Sequence, residues 1–209
     1  MKPVKNILFD LGAVLIDIDF EKVCKSFENI GIKDFEKQYS QLAASTLFEA
    51  LEKGEISNSF FYEAIQNQLQ STIPTEEIKN AWNSILLDFR VETMQYLTKL
   101  KTDYNLFLLS NTNAIHLTEI NFLAQQQLHV DELDVYFTKA YYSFKMGMRK
   151  PNADIFQFVL KDANIVAEET LFIDDSKPNI ITAQHLGFKT HLLLKGERVE
   201  GLSLFEKIG

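Results

Sequence analysis

Three apolar runs in this chain of 209 residues end in groups able to do chemistry. Asn6-Ile7-Leu8-Phe9 runs into Asp10, Leu106-Phe107-Leu108-Leu109 into Ser110-Asn111, and Leu171-Phe172-Ile173 into Asp174-Asp175. A fourth group, Lys150, stands in the turn-like stretch Gly147-Met148-Arg149-Lys150-Pro151. An acid, a hydroxyl, a lysine and an acid pair together make a kit for moving a phosphoryl group. A carboxylate such as Asp10 can attack phosphorus and split one hard displacement into two easier ones. Asp174 and Asp175, side by side, repel unless a cation sits between them. Hard oxygen donors at that density suit Mg²⁺, which takes one or two carboxylates plus waters and substrate phosphate. The expected metal site uses Asp10 and Asp175 directly, the Gly12 carbonyl, and Asp174 either directly or through water, with Asn179 tying the loop together.

Ser110-Asn111 offers phosphate a hydroxyl and the N–H groups of a following helix start, though the same pair serves equally well as a plain helix cap. Lys150, held by Pro151 as first residue of the next helix, reaches into the cleft and neutralises phosphate charge. Each residue taken singly has an ordinary explanation: Asp10 as a turn aspartate, Asp174-Asp175 as a capping pair ahead of Ser176, Lys150 with Arg149 as a solvated basic pair. The combination favours chemistry for all but Arg149, which keeps the solvated reading.

The elements that must position these groups follow from periodicity. An apolar run closed by one carboxylate reads as a buried parallel strand with an acid at its carboxyl end, the edge at which open α/β sheets bind ligands. After residue 90 the chain alternates: helix 91–101, strand 105–110, another helix, strand 140–143, helix 152–163, strand 170–174, helix 177–186 closed by Gly187, and strand 188–194. That alternation, with strand 6–10 added, predicts a doubly wound, Rossmann-like parallel sheet of the α/β class. Residues 20–88 show helical spacing instead, in Phe20/Val23/Cys24/Phe27, Leu47/Phe48/Leu51, Phe60/Phe61/Ala64/Ile65 and Ile78/Trp82/Ile85/Leu86. The breaks at Gly31, Gly54–Asn58 and Ser71–Thr75 divide this insertion into about four helices, with Ser57 and Thr75 as N-caps. The four histidines, His116, His129, His185 and His191, show no ligand spacing and read as helix-surface or sheet residues. Cys24 reads as core, Asp17 as the hinge into the insertion, and Glu49, Glu52 and Glu55 as a solvated helix face in preference to proton donors supplied by the insertion.

Composition narrows the class. A net charge of −8 and a pI near 5.1 argue against a nucleic-acid binder. No apolar stretch approaches the ~20 residues of a membrane span, and the N-terminus lacks the layout of a secretory signal. A single cysteine suits a reducing cytoplasm.

Phe9-Asp10-Leu11-Gly12-Ala13-Val14-Leu15, Leu109-Ser110-Asn111, Gly147 to Pro151, and Ile173-Asp174-Asp175 with Asn179 together resemble the haloacid dehalogenase superfamily of phosphatases. All four family motifs occur in order and span nearly the whole chain. Asp10 to Phe20, Gly54-Glu55-Ile56-Ser57 and Gly147 to Pro151 are most similar to the bacterial α-glucose-1-phosphate phosphatases, a subgroup that also resembles the N-terminal phosphatase domain of epoxide hydrolases. The resemblance implies a catalytic core of residues 1–16 and 90–209 with an inserted small helical cap domain of residues 17–89. It also implies Mg²⁺, Asp10 as nucleophile with Lys150 beside it, and an aspartyl-phosphate intermediate. The expected partner is a small phosphorylated metabolite, with no nucleic acid or membrane, and the chain acts as a monomer or homodimer.

One departure matters. Family phosphatases usually carry a second aspartate two residues after the nucleophile, and here that position is Gly12. A general acid–base contributes ~10²–10⁴-fold, so its loss favours an easy leaving group such as that of a sugar 1-phosphate. Two other readings stand beside this one: a non-catalytic phosphate or metabolite binder of the same fold, and a metal-independent 2-haloacid dehalogenase. The second needs no acid pair at Asp174-Asp175 and expects an arginine near the start of the cap, which this chain lacks.

Overall fold

The computed structural model describes residues 3–32, 35, 46–69 and 72–202. The three apolar runs become adjacent parallel strands, as their composition requires. Strands β1 (Asn6–Phe9), β4 (Asn105–Ser110), β5 (Lys139–Tyr142), β6 (Thr170–Asp174) and β7 (Lys189–Leu192) form one sheet in the order β5-β4-β1-β6-β7, parallel throughout. Alternate residues serve opposite faces. Ile7, Phe9, Leu106, Leu108, Leu171 and Ile173 join one hydrophobic cluster, whereas Leu8, Phe107, Leu109 and Phe172 join another. Burial on both faces explains why these strands are continuously apolar.

Helices complete the layers. Met94 and Leu97 of α5 (Val91–Leu100) and Ile120 and Ala124 of α6 (Ala114–Leu128) cover one face. Ile155, Phe156 and Val159 of α8 (Ala153–Asp162) and Ile180 and Ala183 of α9 (Lys177–His185) cover the other. The short α7 (Ser143–Met146) follows β5. This is the expected α/β architecture. Gly187, at φ 89°, stands behind α9 as read from the sequence. Pro151 falls two residues short of its assigned place, because Asn152 occupies the N-cap and α8 begins at Ala153.

The insertion is helical: α1 (Phe20–Asn29), α2 (Thr46–Glu52), α3 (Asn58–Leu69) and α4 (Thr75–Asn83). Val23, Phe27, Phe48, Phe61, Ile78 and Trp82 form its own cluster, with Cys24 buried among them as expected. Ser57 caps α3 by accepting from the Phe60 N–H at 3.1 Å. Thr75 does not cap α4, since it already lies in the helix and Pro74 holds the cap position without a side-chain hydrogen bond.

A larger correction concerns Ile85 and Leu86. Their helical spacing with Ile78 and Trp82 does not continue the helix. Residues Leu86–Phe89 form β3, antiparallel to β2 (Ile16–Ile18), so the chain leaves and re-enters the sheet domain through a two-stranded ribbon. Pairing between residues about 70 apart in sequence overrode a local pattern. Among the described residues no helix is long and apolar enough to cross a membrane.

Candidate active site

Register brings the chemistry to one edge. Phe9 lies opposite Ile173 on one side and Leu108 on the other, so Asp10, Asp174 and Ser110 emerge together at the carboxyl ends of the three central strands. The Asp10 N–H donates to the Ile173 carbonyl at 2.9 Å, carrying the ladder one residue past the strand.

Lys150 joins the two acids. Its Nζ donates to Asp10 Oδ1 and to Asp174 Oδ2, each at 2.7 Å, and the side chain is 1% exposed. Burial pulls its ammonium down, but Asp10 and Asp174 more than reverse this, so it stays charged. Its backbone is fixed from the neighbouring strand. Asn111 Nδ2 donates to the Lys150 carbonyl and the Lys150 N–H donates to Asn111 Oδ1, both at 2.9 Å. The Asn111 amide, expected on phosphate, is therefore engaged in seating the lysine. Ser143 adds a second clamp, its hydroxyl accepting from the Thr112 N–H and donating to the Thr112 carbonyl, each at 2.9 Å.

Neither Ser110 nor Asn111 caps the next helix. Asn113 does, through its side chain on the His116 N–H at 3.0 Å. Among the described residues, the buried Ser110 hydroxyl reaches only the Asn111 carbonyl, at a long 3.5 Å.

Asp174 is fully enclosed. Its Oδ1 accepts from the Ser176 N–H at 2.7 Å and from Asn179 Nδ2 at 3.0 Å, and its Oδ2 from Lys150 and, at 3.0 Å, from Asn179. Those bonds occupy the roughly four acceptor positions of a carboxylate. Asn179 does tie this loop together. Asp175, by contrast, is exposed.

One carboxylate oxygen each from Asp10, Asp174 and Asp175 falls within 4.8 Å of the others. Burial pushes the Asp10 carboxyl up to about 7 against the pull of Lys150, with Asp174 and Asp175 adding to the rise. Although Asp175 as a residue is exposed, its carboxyl sits where the protein displaces part of its water, and this and Asp174 raise it too. Three carboxylates facing one ammonium leave two negative charges in excess, which one divalent cation balances. The donor set, all hard oxygen, fits Mg²⁺.

Beside these groups lies a cavity of about 120 Å³, walled by Gly12, Ile18, Ser110, Asn111, Thr112, Trp82, His116 and Glu52 among others. It is far below the ~300–1,000 Å³ of ordinary ligand clefts, a size for a small molecule. On the far side of β2 a second hollow of about 570 Å³ opens past Asp175, Asp17 and Arg90.

The insertion contributes two groups to this region that sequence reasoning misread. Glu52, expected on a solvated face, lies against the cavity with its side chain 17% exposed, and Arg149 Nη2 stands 3.0 Å from its Oε2. Arg149 also comes within 3.8 Å of Glu49, so it is no solvated partner of Lys150 but a link from the sheet domain to α2. Burial raises the Glu52 carboxyl despite Arg149. The adjacency of Arg149 to Lys150 was the available signal.

His116 is the other correction. It is buried, stacked on Trp82 with centroids 4.6 Å apart, and bonded through Nε2 to the Trp82 carbonyl and through Nδ1 to Asn113 Nδ2, each at 3.2 Å. Burial holds its imidazole at about 4, hence neutral. Gly54, at φ 67°, completes the contact between the two parts: a Cβ there would run into the Phe144 carbonyl oxygen.

Known proteins are similar to this chain in sequence and fold. The family model for haloacid dehalogenase-like hydrolases matches residues 7–193. A D-ribitol-5-phosphate phosphatase of Bacteroides thetaiotaomicron is 32% identical over 190 residues, covering 90% of each chain. A solved HAD family enzyme of the same organism, in complex with magnesium and inorganic phosphate, is 38% identical and superposes with a TM-score of 0.87 over 94% of this chain and 97% of that one. A HAD-like family hydrolase of Porphyromonas gingivalis is 36% identical, with a TM-score of 0.86 over 94% of each chain. Acid, hydroxyl, lysine and acid pair on one sheet edge, within a family match spanning most of the sequence, make this chain a member of the haloacid dehalogenase-like hydrolases.

Proposed function

We propose that this chain is a Mg²⁺-dependent phosphatase of small phosphorylated sugars or polyols. The observation that carries the reading is Lys150 buried between Asp10 and Asp174, beside a small cavity at the carboxyl edge of a parallel sheet. Lys150 holds Asp10 by Oδ1 and leaves Oδ2 to act as nucleophile. Attack by that oxygen forms a phosphorus–oxygen bond and expels the alcohol, giving an aspartyl-phosphate, and water then cleaves it. Ser110 and the Lys150 ammonium meet the phosphoryl oxygens as charge accumulates on them. Asp10, Asp175 and the Gly12 carbonyl would hold Mg²⁺, which supplies positive charge against the transferring group. Asp174, whose acceptor positions are taken by Lys150, Ser176 and Asn179, would add its charge beside the metal, and its role is to seat Lys150. Residues 17–89 act as the cap over a core of residues 1–16 and 90–209, in a monomer or homodimer working in a reducing cytoplasm.

The relative named for D-ribitol 5-phosphate supports a primary alkyl phosphate as the substrate class, with sugar 1-phosphates as the competing class. Phosphate release from ribitol 5-phosphate, glucose 1-phosphate, glucose 6-phosphate and p-nitrophenyl phosphate, with Mg²⁺ and with EDTA, tests this. Metal-dependent release is expected. Binding of Mg²⁺ and inorganic phosphate without any release would turn the reading to a binder, and release undiminished by EDTA would remove the metal.

A further inference from the structure

Expelling an alcohol from a phosphate ester leaves an alkoxide that needs a proton, and the later attack of water needs a base. No carboxylate stands at Gly12 to do either. The groups that wall the 120 Å³ cavity include two titratable side chains, Glu52 and His116. His116 is unsuited. Its Nε2 faces the Trp82 carbonyl and its Nδ1 faces the Asn113 amide, so both ring nitrogens are engaged within the protein. Glu52 is placed differently. It reaches the cavity from α2, with its side chain 17% exposed, and its Oε2 completes no hydrogen bond although Arg149 Nη2 stands 3.0 Å away.

Building on the phosphatase reading above, we propose that Glu52 is the proton-transfer residue of this site, taking from the cap the task that the chain leaves open at Gly12. In the first step Asp10 forms its bond to phosphorus while the ester bond breaks, and the Glu52 carboxyl gives its proton to the departing oxygen. In the second step the Glu52 carboxylate takes a proton from the attacking water, the bond from Asp10 to phosphorus breaks, and Glu52 is restored. The charged groups facing it are Arg149 and Lys150, which favour its ionised form, and Glu49, which opposes it. Burial outweighs them and raises the carboxyl, which favours its proton-bearing form. Arg149 is the positioning residue. With the proton supplied by Glu52, a simple primary alcohol becomes an acceptable leaving group and the activated leaving group of a sugar 1-phosphate is no longer required.

The experiment compares wild type with Glu52→Gln on ribitol 5-phosphate and on p-nitrophenyl phosphate, whose leaving group departs without a proton. On the aryl ester the variant should release one equivalent of nitrophenolate rapidly and then stall, with the phosphorylated protein visible by mass spectrometry after acid quench. On the alkyl ester it should lose about 10²-fold or more, with no phosphorylated protein accumulating. Equal losses on both esters without accumulation would overturn the assignment. An Arg149→Met variant gives a reading independent of how the glutamine variant folds. Loss of the guanidinium raises Glu52, so the alkaline limb of alkyl turnover should move to higher pH, and an unmoved limb counts against the proposal. Wild-type protein inactive on both esters would sink the phosphatase reading itself.

Discussion

Arg90 grips Asp17 with Nε and Nη2, both 2.8 Å from Oδ1, and so ties the strand that leaves the sheet domain to the one that returns. Asp17 stands in β2, where the chain crosses toward the insertion, and this ion pair spans that crossing. Arg198 adds a looser contact at 3.5 Å. Asp17 is 38% exposed, so solvent screening limits its worth. Asp17→Asn should cost about 1 kcal/mol in urea unfolding, and less in high salt. A loss independent of salt would assign the contact a packing role instead.

Asp174 and Asp175 are adjacent in sequence but should answer differently to removal. Asp174 is wholly buried against Lys150, and breaking a buried pair on one side costs about 3–5 kcal/mol. Asp174→Ala should therefore lower stability by that order. Asp175→Ala, at an exposed position, should leave thermal stability nearly unchanged and weaken Mg²⁺ binding measured by calorimetry. Reversed outcomes would exchange their roles.

Asp10→Asn keeps an acceptor for Lys150 but removes the nucleophile. Turnover should fall by about 10³-fold or more, with no phosphorylated protein on acid quench and circular dichroism unchanged. Persistent activity would move the nucleophile elsewhere.

The structure leaves room at Gly12. A Cβ there would meet only the Ile18 methyl groups, at an ordinary 3.6 Å. Gly12→Asp should therefore fold, and in the Glu52→Gln background it should restore alkyl-ester turnover about tenfold or more. Failure to restore it, with the double variant folded, would mean that an acid at this place does not reach the leaving group.

His116 makes stability depend on pH. Its folded value of about 4 lies below the ordinary 6.5, so above pH 6.5 the imidazole is neutral in both states and contributes nothing. As pH falls from 6.5 toward 4, the unfolded chain takes up a proton that the folded chain refuses, and stability drops by about 3 kcal/mol in all. By pH 5 the loss from this group should reach about 2 kcal/mol. Urea unfolding at pH 7.5 and pH 5 should show a smaller drop for His116→Gln than for wild type. Equal drops would mean the imidazole is not buried neutral.

The sheet was legible because its strands are buried on both faces, so Asn6–Phe9, Asn105–Ser110 and Thr170–Asp174 announce themselves as unbroken apolar runs. Their terminal groups were legible for the same reason, since Asp10 and Asp174 interrupt patterns that are otherwise uniform. Leu86 was not, because a half-buried ribbon strand of four residues carries too little alternation to outweigh an adjoining helical phase. Glu52 and Arg149 are harder to place, and on different grounds. A charged residue on an amphipathic helix looks the same whether its polar face meets water or another part of the fold. His116 was missed because the partner that buries it, Trp82, is 34 residues away.

The segment from Phe144 to Lys150 does two things at once. It carries the lysine that seats both acids, and it offers the Phe144 carbonyl and the Arg149 guanidinium to Gly54 and Glu52 of the insertion. The helical part is therefore not an interchangeable module joined only at its ribbon. A graft of residues 17–89 that lacked a carboxylate for Arg149, or a glycine at the place of Gly54, would not seat against Phe144 and its neighbours. The fit between the two parts rests on two stretches far apart in sequence, and exchanging one means exchanging both.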